Sequence, residues 1–199
     1  VEMAVSYYNR ILDSVNKEYN FEPLMTLYLT DNMSPSEIDK AAETKSITAL
    51  KYYPAGATTN SDSGVTDIKK IYSVLEAMMK NGLPLLLHGE VNDIEVNVFD
   101  REKIFIDRVL TPLVDDFSEL KIVLEHISTK EAVDFILNAS DNLAATITPQ
   151  HVLLNRSDFF DVSFQPHYYC LPVLKDEHDR LAVLGAATSG NCKFFLGTD

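Results

Sequence analysis

The chain has 199 residues, of which 46% are hydrophobic and 24% charged, the make-up of one folded globular core. Its 17 basic against 30 acidic residues give a net charge of −13, which argues against a nucleic-acid or anionic-membrane surface. Two cysteines, Cys170 and Cys192, are too few for a disulfide framework, and with no signal peptide and no apolar run of spanning length a cytoplasmic protein is expected.

The elements alternate. VSYYNRILDSV carries an apolar stripe at Val5, Tyr8, Ile11, Leu12 and Val15 and predicts a helix. PLMTLYLT, from Pro23 to Thr30, predicts a strand. SPSEIDKAAE predicts a helix with Ser34 as N-cap, Pro35 in its first turn and Glu37 closing a capping box. SITALKYY predicts a second strand, bounded by Pro54 and Gly56 and expected to be buried on both faces. TDIKKIYSVLEAMMKNG predicts a helix stopped at Asn81-Gly82. PLLLHGE reads as a strand, DREKIFIDRVLTPL as a helix, and KIVLEHI as a strand. STKEAVDFIL reads as a helix opened by a Ser128–Glu131 capping box. LAATITPQH is a fifth strand, a less regular segment runs to YCLPVL, and one more helical stretch leads to the strand CKFFLGTD. Six strands alternating with helices predict βαβ units and a mainly parallel sheet.

Four polar residues fall late in these strands. Lys51 follows SITAL, His88 follows PLLL, His126 follows KIVLE and Asp199 follows FFLGT. The separations are 37, 38 and 73 residues, so the last is close to two repeats of the unit set by the first two. Groups at strand C-terminal ends, one βα unit apart, converge on one mouth if the strands close into a barrel, and that mouth is where (β/α)8 barrels keep their active sites. Each residue alone has a bland reading: a hydrogen-bonded core imidazole, a helix N-cap for Asp199, a snorkelling Lys51. Four at one phase of the repeat outweigh those readings. His151 and His167 break the rhythm and read as structural or supporting residues; His178, in KDEHDR, reads as solvated.

Two histidines and a carboxylate suit zinc. A buried lysine beside a dication is favoured as the neutral amine, which can add carbon dioxide and become an anionic oxygen ligand bridging two metals. A Schiff-base lysine, which needs no metal, is the competing reading of Lys51.

The stretches LKYYPAGATTNSDSGV, PLLLHGEV, FDRE, LEHISTKEA, LAATITPQH, NRSDFF, PHYYCLPVLK and FFLGTD, in this order through the whole chain, resemble the dihydroorotases, the small single-function type within the amidohydrolase superfamily. The resemblance implies an α/β fold, the (β/α)8 TIM barrel of metal-dependent amidohydrolases, with strands three to eight represented in residues 1–199 as one incomplete catalytic domain. It implies two zinc ions per subunit, bridged by N6-carboxylated Lys51 and a hydroxide. His88 and His126 would hold the more exposed zinc, and Asp199 would bind the other and serve as general base and acid. Thr58 and Thr59 resemble a mobile loop that closes over substrate, and Leu171 a residue whose backbone contacts the substrate's ring amide. The implied reaction interconverts dihydroorotate and N-carbamoyl-L-aspartate in pyrimidine biosynthesis, and the implied assembly is a homodimer. The family's His-x-His pair, its arginine and its asparagine for the substrate carboxylate do not occur in this sequence. The chain is therefore expected to be a stretch of a longer one. A hydantoinase-like cyclic amidohydrolase and a non-catalytic homologue are the alternatives.

Overall fold

A computed structural model describes residues 1–199. Six strands form one sheet in the order β1 to β6, every neighbouring pair parallel: β1 (Met25–Tyr28), β2 (Ile47–Tyr52), β3 (Leu85–His88), β4 (Ile122–Glu125), β5 (Leu143–Ile147) and β6 (Phe194–Leu196). A strand order that follows the chain, with a helical connection between every pair, is the winding of a (β/α)8 barrel wall. The connections are α1 (Glu2–Ser14) ahead of β1, α2 (Pro35–Glu43), α3 (Tyr72–Asn81), α4 and α5 (Arg101–Phe105 and Thr111–Asp116), α6 (Lys130–Asn138), α7 (Pro149–Leu153) and α8 (Glu177–Thr188).

The core lies between sheet and helices. Leu50, Leu85, Leu87, Ile122, Leu124, Leu143 and Ala145 point outward from the sheet into a layer completed by Ile38, Leu75, Met78, Leu113 and Ile136. The opposite, concave face is less covered. Burial on both faces holds for β2 from Ala49 onward, while β1, β4 and β5 alternate buried with partly exposed residues.

Neither expected capping box forms. Ser34 stands at the N-cap of α2, but its hydroxyl meets Ser36 and bonds to no helix amide. At α6 the cap is Thr129, whose hydroxyl accepts from the Ala132 amide, while Glu131 pairs with Lys103 at 2.8 Å. Ser128 is drawn elsewhere, to a buried carboxylate described below. The helix predicted over DREKIFIDRVLTPL is continuous but carries a π turn at Ile106–Leu110, where the Thr111 amide reaches back to the Ile106 carbonyl and its hydroxyl donates to the same oxygen at 2.8 Å. Pro112 explains the site of the irregularity: it brings no amide to continue the regular ladder. Gly82 ends α3 in the left-handed conformation, φ +70°, as the Asn-Gly signal predicts.

Candidate metal centre

Parallel register decides what shares the concave face. Lys51 lies beside Leu86, and Leu86 beside Val123, so these three project the same way. Two residues on, the same face carries His88 beside Glu125. Lys51 keeps only 9% exposure and contacts the Glu125 carboxylate, with its ammonium 4.7 Å from the Tyr53 ring centroid. The Tyr53 ring in turn lies 5.8 Å from that of His88. Burial, reinforced by Glu125 and Asp199, pushes the Tyr53 hydroxyl up from its ordinary value.

The histidines meet. His88 Nδ1 stands 3.1 Å from His126 Nε2, both rings buried. His126 follows β4 directly and adopts φ +46°, a left-handed conformation that a non-glycine residue takes only when its surroundings hold it there. Two contacts do so. The Thr146 hydroxyl accepts from the His126 amide at 2.7 Å, and the following Ser128-Thr129 pair is clamped by Glu102. Glu102, 1% exposed, accepts from both amides and both hydroxyls of that pair, at 3.0 Å from the Ser128 amide and 2.9 Å from that of Thr129. Burial raises its carboxyl, opposed by the Lys175 charge and these donors. Burial, with the fields of His88 and Lys51 added, holds His126 well below the usual imidazole range, so it is the neutral ring that metals bind.

The remaining candidates are placed as follows. Asp199 follows β6 and is exposed; its charge acts on Tyr53, His151 and Cys170, and it bonds to neither imidazole. Thr58 is half-buried and Thr59 exposed, in a loop tied by Thr58 and Ser61 to each other. That loop turns tightly enough at Gly64 that a Cβ there would stand 2.5 Å from the Tyr53 carbonyl oxygen. Leu171 is half-buried beside Pro172, whose carbonyl accepts from His151 Nε2 at 2.9 Å. His151 is a buried structural residue, bonded to Thr148 through its other nitrogen; burial lowers it to about 4. His167 and His178 are exposed. A cavity of about 640 Å³ between Tyr52, Val65, Asn92 and Arg108 touches Glu90 but none of the four principal candidates.

No three His, Cys, Asp or Glu side chains close into a metal-holding group. The two-histidine half nevertheless fits one. Nitrogens bound tetrahedrally to a single zinc at about 2.0–2.1 Å stand about 3.3 Å apart. His88 Nδ1 and His126 Nε2, at 3.1 Å, are close to that edge. The other His126 nitrogen, Nδ1, is buried with no partner. The third donor on this face is a lysine, which becomes a metal ligand only as the neutral amine or after carboxylation. Sequence reasoning missed Glu90, Glu102 and Glu125. Glu90 had a signal, since residues 88 and 90 share a face if the strand runs on; Glu125 had one in the register of KIVLEHI against PLLLH.

The chain is 60% identical over its full length to a dihydroorotase of Picosynechococcus sp., 58% to one of Shewanella sp., and 58% to one of Coxiella burnetii. It spans 58%, 58% and 57% of those three relatives. All three of these relatives are dihydroorotases. Its backbone superimposes over its whole length on the solved dihydroorotase of Campylobacter jejuni, with a TM-score of 0.91 and 38% identity, covering 57% of that chain. A second solved dihydroorotase, from Saccharomyces cerevisiae in complex with 5-fluoroorotic acid, gives 0.86 at 34% identity. A D-hydantoinase, 18% identical with a TM-score of 0.73, shares the fold. No protein-family model matches the chain. The parallel six-strand wall is the one these solved amidohydrolases share, the wall of a TIM barrel.

Proposed function

We propose that the protein carrying this chain is a dihydroorotase, a cyclic amide hydrolase that opens dihydroorotate to N-carbamoyl-L-aspartate and closes it in the biosynthetic direction. The observation that carries the proposal is the facing pair of buried imidazoles, His88 Nδ1 and His126 Nε2 at 3.1 Å, on the same concave face as buried Lys51.

His88 and His126 would hold one zinc ion. Lys51, once carboxylated, and Asp199 would hold a second. Bound zinc supplies Lewis-acid polarisation of the ring carbonyl and lowers the pKa of water to about 7. The protein's own residues do the rest. Asp199, open to the mouth, takes a proton from the attacking water and gives it to the ring nitrogen as the C–N bond breaks. The Thr58-Thr59 loop closes over the substrate and excludes water. Leu171 offers its backbone to the ring amide, and His151 fixes that segment through the Pro172 carbonyl. No helix is long and apolar enough to cross a membrane. A homodimer in the cytoplasm is the assembly and location we propose.

Metal analysis with absorbance-monitored dihydroorotate hydrolysis, both on the complete protein, tests this. Two zinc ions per chain are expected, with activity lost to a chelator and restored by zinc. Hydrolysis of hydantoins in place of dihydroorotate would transfer the chain to the other cyclic amidases, and full activity after complete metal removal would end the zinc reading.

A further inference from the structure

We propose that Glu90 is the positioning residue of His88: its carboxylate fixes the imidazole as the Nε2–H form, so that Nδ1 is the bare nitrogen presented to the metal. This rests on the reading of the rim as a metal centre and names how one ligand of it is set.

Three observations carry the proposal. His88 Nε2 lies 3.0 Å from Glu90 Oε2, with the side chains 2% and 1% exposed. A carboxylate accepts only, so the imidazole hydrogen sits on Nε2 and the ring's lone pair is on Nδ1. That nitrogen is the one facing His126 Nε2 at 3.1 Å.

The second observation is what Glu90 lacks. Its other oxygen, Oε1, is buried with no partner. A carboxylate kept from water with one hydrogen bond is destabilising, and other buried acids avoid it. Glu102, equally buried, is satisfied by four donors from Ser128 and Thr129 and reads as a fastener of backbone. Glu90 fastens nothing except the His88 ring. Positive charge arriving at Nδ1 would be felt through the ring and would stabilise the carboxylate, so the buried acid and a bound cation favour each other.

The third is Gly89. A Cβ at this position would come within 2.4 Å of Leu124 Cδ1 and 3.5 Å of Phe105 Cδ1. The chain passes so close to the β4 side chains after His88 that the residue between the two partners carries no side chain, and residue 90 is thereby brought back beneath the imidazole.

The test uses the complete protein, stripped of metal, as wild type, E90Q and E90A. Zinc affinity is read by competition with a chromophoric chelator, and the His88 tautomer by long-range proton–nitrogen NMR of the imidazoles in the metal-free protein. E90A is expected to weaken the zinc at His88 and His126 by about 10- to 100-fold and to mix the two His88 tautomers. E90Q, whose amide oxygen still accepts from Nε2–H, is expected to keep the Nε2–H form and to lose less than about tenfold. If E90A does not fold, E90D takes its place: the same charge, withdrawn by one methylene, is expected to weaken zinc as E90A would. Zinc affinity within twofold of wild type in E90A or E90D, or an unchanged Nε2–H tautomer there, overturns the proposal. Wild-type protein that takes up no zinc overturns the metal reading instead, and the tautomer measurement still decides the role of Glu90.

Discussion

The two sides of the mouth are built differently. On the side of β3 and β4, His88, Glu90, Glu102 and His126 are each no more than 3% exposed; His88, Glu102 and His126 are tied to other elements and Glu90 to the His88 ring. On the side of β5 and β6, the segment from Arg156 to Tyr169 displays Phe160, Val162, Phe164 and Tyr169 to solvent. The first side is over-determined: the strained His126 backbone is held by Thr146 from one direction and by the Glu102 clamp from the other. The second is tied by the Asn155–Asp158 capping box and by bonds that are exposed or only partly buried. Metal donors need placement within about half an ångström, whereas groups that meet a substrate arriving and leaving sit on segments with room to move.

The largest effect should come from breaking the rigid side at its chemistry. His126→Asn in the complete protein removes the Nε2 donor. Hydrolysis should fall on the order of a hundred- to a thousandfold, the scale of losing one electrostatic stabiliser of the transition state. Zinc content should drop from two ions toward one. Undiminished turnover with full zinc content would show that this imidazole is a packing residue.

Next in size is the clamp itself. Glu102→Leu leaves two amides and two hydroxyls of Ser128 and Thr129 buried without their acceptor. Each such group is worth about 1–3 kcal/mol, so a loss of at least about 3 kcal/mol is expected. In a chain of this size that lowers the melting temperature by about 6–12 °C, which calorimetry reads directly. Glu102→Gln should fall between wild type and Leu, since one amide oxygen still accepts. A Leu variant as stable as wild type would refute the clamp.

How much of this was legible in the sequence follows the same division. That Lys51, His88 and His126 would be buried late in their strands and gather on one face could be read because strand ends recur at a fixed spacing and a polar residue closing an apolar strand stands out. The six parallel strands followed from the same alternation. The acids could not be read that way. Glu102 sits in DREK, indistinguishable from a solvated first helical turn, and its partners lie 26 and 27 residues away. The capping box at α6 failed for the same reason: Ser128 satisfies the local pattern, but a buried carboxylate is a stronger partner than its own helix. Local rules assume that a hydroxyl has no better offer from elsewhere in the fold.

A smaller effect separates His151 from the facing imidazoles His88 and His126. Its ring is buried and lowered to about 4, against an ordinary value near 6.5. Between those values the unfolded chain binds a proton that the folded one refuses, so stability is full above pH 6.5 and is lost as pH falls toward 4. From pH 7 to pH 5 the loss attributable to this ring is about 2 kcal/mol. Urea midpoints at the two pH values, in wild type and in His151→Gln, measure it as a difference. The variant should show the shallower pH dependence, and equal slopes would mean that His151 titrates as it does in water.

The smallest effect is expected on the open side, where it sharpens the contrast with Glu102. Phe160 is 72% exposed and touches mainly Phe159 and Phe164, so little apolar area leaves water when the chain folds around it. Phe160→Ser should change stability by no more than about 0.5 kcal/mol, the range of surface substitutions away from caps and buried networks. The same denaturation measurement that registers Glu102→Leu should then leave Phe160→Ser within error of wild type. A loss comparable to that of Glu102→Leu would mean that the Arg156–Tyr169 segment is held as firmly as the clamp, and that the mouth has no soft side.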